Sequence, residues 1–173
     1  MKPIRVVPCG QPATPLLGAV TNALSRELRS RAVIADERVD AAFARHPERN
    51  QYHSTAIIEH LARLNGSHQE LLVGVTELDL YIPILTFVFG EAQLGGTIAV
   101  VSYHRLTQEF YGLPSDPALL TERLVKEAIH EVGHTAGLTH CDDYECVMAA
   151  THAVEWLDLK GAAFCAECRR KAL

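Results

Sequence analysis

The order His130-Glu131-x-x-His134-x-x-Gly137-x-x-His140 runs straight into Cys141, then Cys146, Met148 and a closing Cys165-x-x-Cys168. Imidazoles four residues apart project from one face of a helix, so His130 and His134 can grip a single ion. Glu131 lies about 100° round the axis, toward the side where water would approach that ion, which is where a general base is wanted. Continuing the helix would carry the chain away from the metal. Gly137, free to take positive φ, can end the helix in a left-handed cap and return His140 to the same ion. Three imidazoles leave one position of a tetrahedral ion open, which distinguishes a catalytic zinc from a closed structural one. In a chain of this composition the short motif arises by chance about 0.04 times and the long one about 0.0001 times, so a histidine-rich helix with a glycine cap competes poorly.

The four cysteines suggest a second centre. Cys141 and Cys146 flank a short loop, Cys165 and Cys168 have zinc-knuckle spacing, and four thiolates would close a structural site. Because Cys141 is bonded to His140, that site would tether the third imidazole. Two disulfides or a redox Cys-x-x-Cys pair are the competing uses of the same residues. Disulfides need an oxidising compartment. The start, Met1-Lys-Pro-Ile-Arg, lacks the apolar stretch of a secretory signal, and no run of roughly 18 apolar residues occurs. The expectation is a cytoplasmic protein with two Zn2+ ions, one catalytic and one structural. Cys9 stands apart and reads as a free, buried thiol.

The run from His130 to Cys168 resembles that of the archaemetzincins, metzincin-clan zinc metalloproteases whose extended histidine motif is joined to a four-cysteine zinc site. The likeness covers about 40 of the 173 residues. It implies His130, His134 and His140 as ligands of the catalytic zinc, Glu131 as the base, and Cys141, Cys146, Cys165 and Cys168 as ligands of the second ion. It also implies that Met148 is the methionine of the turn beneath the metal; on its own Met148 reads as a core residue. The 16 residues between Met148 and Cys165 form a spacer able to absorb a one-residue difference from other members. The same likeness implies an edge strand beside the cleft, whose unpaired backbone groups hold an extended peptide. By order along the chain that role falls to Phe87, Val88, Phe89, Gly90, Glu91, Ala92 and Gln93, with an ordinary core strand as the alternative.

The elements that must position these residues are legible as alternating strands and helices. Strands are expected at residues 4–8, 32–34, 71–75, 84–89 and 97–103. Pro12-x-x-Pro15 marks a loop before an amphipathic helix from Leu16 to Ser30, and a second helix spans residues 54–64. Residues 36–50 are polar and a poor place for continuous helix. Asp116-Pro117 opens a helix of about 20 residues, buried through Leu124, Ala128, Ile129 and Val132, with the paired histidines near its end. These elements imply an α/β, metzincin-like single domain over residues 1–173, with a mixed twisted sheet packed on helices and a long active-site helix. Residues 1–137 form the upper lobe and 138–173 a zinc-stapled lower one. The chain is long enough to bury about 70% of its unfolded surface, and its 48% hydrophobic content is ordinary for a globular protein.

Sixteen basic against 21 acidic residues, with no basic tract, argue against nucleic acid. The expected partner is a peptide or protein substrate, with no membrane and the oligomeric state left open. The expected reaction is peptide-bond hydrolysis, as an endopeptidase or a narrow aminopeptidase in which Glu91 would bind the substrate's amino terminus. The rival is a zinc-stabilised peptide-binding or regulatory module that cleaves little. His46, His53, His60, His68, His104 and His152 show no ligand spacing, and Tyr144 and Trp156 are expected to pack.

Overall fold

The central strands are apolar on both faces, so helices must cover both sides of the sheet. The computed structural model describes residues 2–66 and 70–172; His68, expected to have no ligand role, lies outside them. In chain order the elements are β1 (Ile4–Cys9), α1 (Thr14–Leu28), β2 (Ala32–Ile34), a 3-10 turn at Ala41–Ala44, β3 (Arg45–His46), β4 (Gln51–His53), α2 (Ser54–Leu64), β5 (Leu71–Thr76), β6 (Leu80–Tyr81), β7 (Gly90–Ala92), β8 (Ile98–Ser102), α3 (Pro117–Thr135), α4 (Val154–Leu159) and α5 (Ala166–Ala172). The main sheet has the order β2-β1-β5-β8-β7. Its first four strands are parallel, and β7 runs antiparallel along the outer edge. Short β3, β4 and β6 make a second, small sheet.

On one face Ile4, Val6, Val73, Val75 and Val101 pack with Leu24 of α1 and with Leu124, Ala128 and Val132 of α3. On the other, Val7, Leu72, Ile98 and Val100 pack with Ile57, Ile58 and Leu61 of α2. The sheet is therefore a plate with α3 on one side, running past β8 and β7. Cys9 is fully buried, and desolvation pushes its thiol up to about 12, so it stays protonated. Among the described residues no helix is long and apolar enough to cross a membrane.

Two expectations need correction. Pro15 sits in the first turn of α1, where its missing N–H leaves no bond unmade, so the helix starts earlier than the paired prolines suggest. Residues 84–89 are not a strand. Pro83 opens a turn, Ile84 is 86% exposed and Leu85 49% exposed, and pairing resumes only at the Leu80–Val88 bridge and at Gly90. The carbonyls of Leu85 and Thr86 accept from the Arg49 guanidinium at 3.0 Å each, and that of Thr86 also accepts from the Gln51 amide at 2.9 Å, which replaces the missing strand partner. A short apolar run does not by itself distinguish a buried strand from an exposed turn.

Candidate active site

Asp116 caps α3 by accepting from the Leu119 N–H at 2.9 Å, and Pro117 occupies the first turn. The helix ends where Gly137 takes φ +87°, with the Gly137 N–H bonded to His134 O at 2.9 Å and the Leu138 N–H to Gly133 O at 3.1 Å. This reversal returns His140 to the other two imidazoles. Ring centroids lie 4.7 Å apart for His130 and His134, 5.3 Å for His130 and His140, and 5.2 Å for His134 and His140. One nitrogen from each ring lies within 4.8 Å of the others.

The hydrogen bonds behind the rings decide what these nitrogens can hold. His130 Nδ1 stands 2.8 Å from Val147 O, and His134 Nδ1 2.7 Å from Leu138 O. A carbonyl cannot donate, so both Nδ1 atoms carry the proton. The two Nε2 atoms, 3.1 Å apart, then meet as a pair of acceptors with no proton between them. Lone pairs converging on one point repel unless a cation sits there, and nitrogens 2.0–2.1 Å from a tetrahedral zinc stand about 3.3 Å apart. Burial pushes the His130 imidazole down to about 3, with the nearby Lys160 charge adding to the effect, and burial also lowers His134 and His140. The neutral, metal-binding form is favoured in all three.

Glu131 is buried, and desolvation raises its carboxyl well above the usual range, reinforced by Glu127. Its side chain fills the space a Cβ on Gly90 would need, 2.6 Å from Cγ and 2.8 Å from Oε1. Phe87, Val88 and Phe89 form the approach to β7, Gly90, Glu91 and Ala92 are β7 itself, and Gln93 starts the turn back to β8. That turn is tied to the end of α3, because the Gly95 N–H donates to His134 O at 2.9 Å. With His130, Glu131, His134, His140, Thr151 and His152, the strand encloses a cleft of about 480 Å³. The Glu91 carboxylate accepts from the hydroxyls of Ser54 and Thr55 at the start of α2, so it is engaged within the fold. Tyr144 and Trp156, expected to pack, are instead 75% and 59% exposed.

Cys141, Cys146, Cys165 and Cys168 bring their sulfurs within 4.8 Å of one another, and none is in a disulfide. The Cys141 and Cys165 sulfurs are 3.9 Å apart, close to the roughly 3.8 Å expected when each lies about 2.3 Å from a tetrahedral zinc. Backbone amides point at the cluster: Cys165 N–H at the Cys146 sulfur, 3.3 Å, and Cys168 N–H at the Cys165 sulfur, 3.5 Å. The latter bond lowers the Cys165 thiol. Donor number, spacing and orientation fit an ion at both centres.

One support, Met148, is named by the resemblance, and two more, Lys160 and Glu127, are invisible in the motif. Met148 is fully buried, with its sulfur where a Cβ on Gly133 would lie, 2.3 Å away, so α3 approaches the turn only because residue 133 is glycine. Lys160, 3% exposed, puts its ammonium 3.2 Å from Ala149 O, 3.4 Å from His130 Nδ1 and 3.6 Å from the Glu127 carboxylate. Glu127, also 3% exposed, lies one turn before Glu131 on α3. A signal existed for Glu127: it shares the buried stripe of an amphipathic helix, where an unpaired carboxylate is costly and implies a distant cation. Three consecutive carbonyls are thereby occupied: Val147 by His130, Met148 by the Cys141 N–H at 3.0 Å, and Ala149 by Lys160.

An open three-imidazole centre beside a free strand edge, backed by a closed four-thiol centre, has the make-up of a metal-dependent hydrolase. Comparison with known proteins gives the family. Residues 26–172 match the description of peptidase family M54. The archaemetzincin of Methanocaldococcus jannaschii is 44% identical over 123 residues, 71% of this chain and 66% of that protein, so the chain aligns with just under two thirds of that relative's length. That of Thermococcus kodakarensis is 44% identical over 131 residues, 75% and 70%. Among solved structures, a zinc-dependent peptidase from Methanocorpusculum labreanum superposes with a TM-score of 0.90 at 32% identity, covering 98% of this chain and all of that one. The archaemetzincin of Archaeoglobus fulgidus, crystallised with malonate, gives 0.85 at 34%, covering 98% and 99%. The chain belongs to peptidase family M54, the archaemetzincins, which are zinc metallopeptidases.

Proposed function

We propose that this chain hydrolyses peptide bonds, with a catalytic zinc on His130, His134 and His140, a structural zinc on Cys141, Cys146, Cys165 and Cys168, and Glu131 as general base. The observation that carries the reading is the pair of Nε2 atoms facing each other at 3.1 Å, each made an acceptor by the carbonyl behind its ring. Zinc in that position supplies a Lewis acid that polarises a carbonyl and acidifies water. The chain's own part begins at β7. Phe89 O and Gln93 N–H bond β8, so by the alternation of an antiparallel ladder the outward-facing groups of the strand are those of Gly90 and Ala92. A substrate peptide pairs with them as an added strand, which lays its scissile carbonyl over the cleft floor.

Glu131 then takes a proton from the attacking water at a carboxylate oxygen and returns it to the leaving nitrogen. Burial raises its carboxyl, which makes it a stronger base toward the water's proton than a solvated carboxylate would be. The engagement of Glu91 by Ser54 and Thr55 favours an endopeptidase over an enzyme using Glu91 to bind a free amino terminus. A reducing, cytoplasmic setting is part of this reading, because four thiolates must escape oxidation to hold their ion.

The test is the zinc-loaded wild type against Glu131→Gln on a peptide library with free and blocked amino termini. Wild type should cleave blocked peptides, and the variant should keep both zinc ions yet lose at least about 100-fold in rate. Undiminished turnover in the variant would remove Glu131 from the role of base.

A further inference from the structure

The mechanism above gives no role to His152, which lines the cleft. As the carbonyl is attacked its oxygen becomes negative, and a hydrogen-bond donor aimed at that oxygen is worth more in the transition state than in the ground state. Among the residues lining the cleft the carboxylates are Glu91, Glu127 and Glu131, and the only side-chain N–H donor besides the three ligand imidazoles belongs to His152. His152 is not part of the three-imidazole cluster. Its ring nitrogens have no hydrogen-bond partner among the described residues, whereas the Nδ1 atoms of His130 and His134 bond backbone carbonyls and their Nε2 atoms turn toward the shared ion position.

The position of His152 is held from two sides. Three residues before it, Ala149 O is fixed by the buried Lys160 ammonium at 3.2 Å. Two residues after it α4 begins, and Trp156 of that helix stands edge-on to the imidazole, with centroids 6.2 Å apart and planes at 68°. An exposed tryptophan set against an exposed histidine adds nothing to the core, but it restricts where the ring can go. His152 belongs to the segment between the Met148 turn and α4 and Trp156 to α4 itself, while β7 and Glu131 come from the sheet and α3.

We infer that His152 is a further catalytic residue: its ring N–H donates to the scissile carbonyl oxygen as that oxygen becomes negative, and Trp156 steadies the ring. The proton stays on the imidazole throughout. This assignment rests on the peptidase reading above, so the experiment separates the two. The holoenzyme, His152→Ala and His152→Gln are compared on one blocked peptide that the wild type cleaves and on its phosphinic analogue, whose tetrahedral phosphorus carries the two oxygens of the attacked state.

His152→Ala should lower kcat about 10- to 100-fold with KM changed less than about threefold, and should weaken the phosphinic analogue by a similar factor. His152→Gln, which keeps an N–H donor, should recover part of both. Zinc content and Tm should match wild type in both variants, because the side chain is exposed and outside the cluster. A rise in KM alone, or unchanged binding of the phosphinic analogue, would overturn the assignment and leave the peptidase reading standing. A zinc-loaded wild type that neither cleaves the library nor binds a phosphinic peptide would overturn both.

Discussion

Replacing Lys160 with Met keeps most of the unbranched side chain and removes the charge that faces Glu127. Desolvation raises the Glu127 carboxyl and lowers the Lys160 ammonium, so for both partners burial outweighs their attraction, which their 3.6 Å separation keeps modest. In Lys160→Met the buried carboxylate has lost its partner, and its cheapest escape is to take a proton. From the ordinary carboxyl value of 4.5, holding that proton at pH 7 costs about 3 to 4 kcal/mol at 1.36 kcal/mol per pH unit. That agrees with the 3–5 kcal/mol typical of breaking a buried pair. In a chain of 173 residues it corresponds to a loss of about 10 °C in Tm.

The sign with pH follows from the same proton. The folded variant keeps it while the unfolded chain releases it above about 4.5, so the variant's deficit grows as pH rises and shrinks below about 1 kcal/mol at pH 5. Urea melts of zinc-loaded wild type and variant at pH 5 and pH 7 measure the difference. The double variant Glu127→Met/Lys160→Met should return to within about 1 kcal/mol of wild type, since an apolar pair of similar volume replaces a buried ion pair at little cost. A deficit in Lys160→Met that is the same at both pH values, or a double variant as unstable as the single, would refute the reasoning.

Other outcomes follow from close contacts and from the donor sets. Gly90→Ala places a Cβ 2.6 Å from Glu131 Cγ, so it should displace the base and cost about 100-fold in kcat with zinc content unchanged; wild-type kinetics would show that Glu131 has room to move. Gly133→Ala, which helix propensity alone would favour, should lower stability by about 1–3 kcal/mol in a denaturant melt, because the new methyl lands 2.3 Å from the Met148 sulfur. Metal analysis during titration with a chelator should show the zinc of the open three-imidazole site leaving first, together with activity. The zinc of the closed four-thiolate site should leave only as the near-ultraviolet signal collapses, and simultaneous loss of both would contradict the difference between the sites.

The ends of α3, the reversal at Gly137 and the convergence of three imidazoles are legible in sequence because each depends on residues within ten positions of one another. Capping, periodicity and positive φ are local properties, and local properties survive in a string of letters. Lys160 and Glu127 lie 33 positions apart and carry no shared pattern, so only their common burial reveals them as partners. Gly90 and Gly133 are likewise uninformative alone; each matters because of a side chain elsewhere, Glu131 in one case and Met148 in the other. Residues 84–89 mislead for the opposite reason. Their apolar run is real, but Pro83 and the claims of Arg49 and Gln51 on their carbonyls turn it outward.

The occupied carbonyls of Val147, Met148 and Ala149 bear on where this chain can change length. Each oxygen serves a different anchor, one on α3, one beside the first cysteine and one in the Lys160 head group. Adding or deleting a residue inside 147–149 would shift all three out of phase at once, and a change of length in residues 150–153 would carry His152 away from its place in the cleft. Length changes between relatives are therefore expected to avoid residues 147–153, and variants meant to alter the lower rim of the cleft should exchange side chains there and keep the spacing.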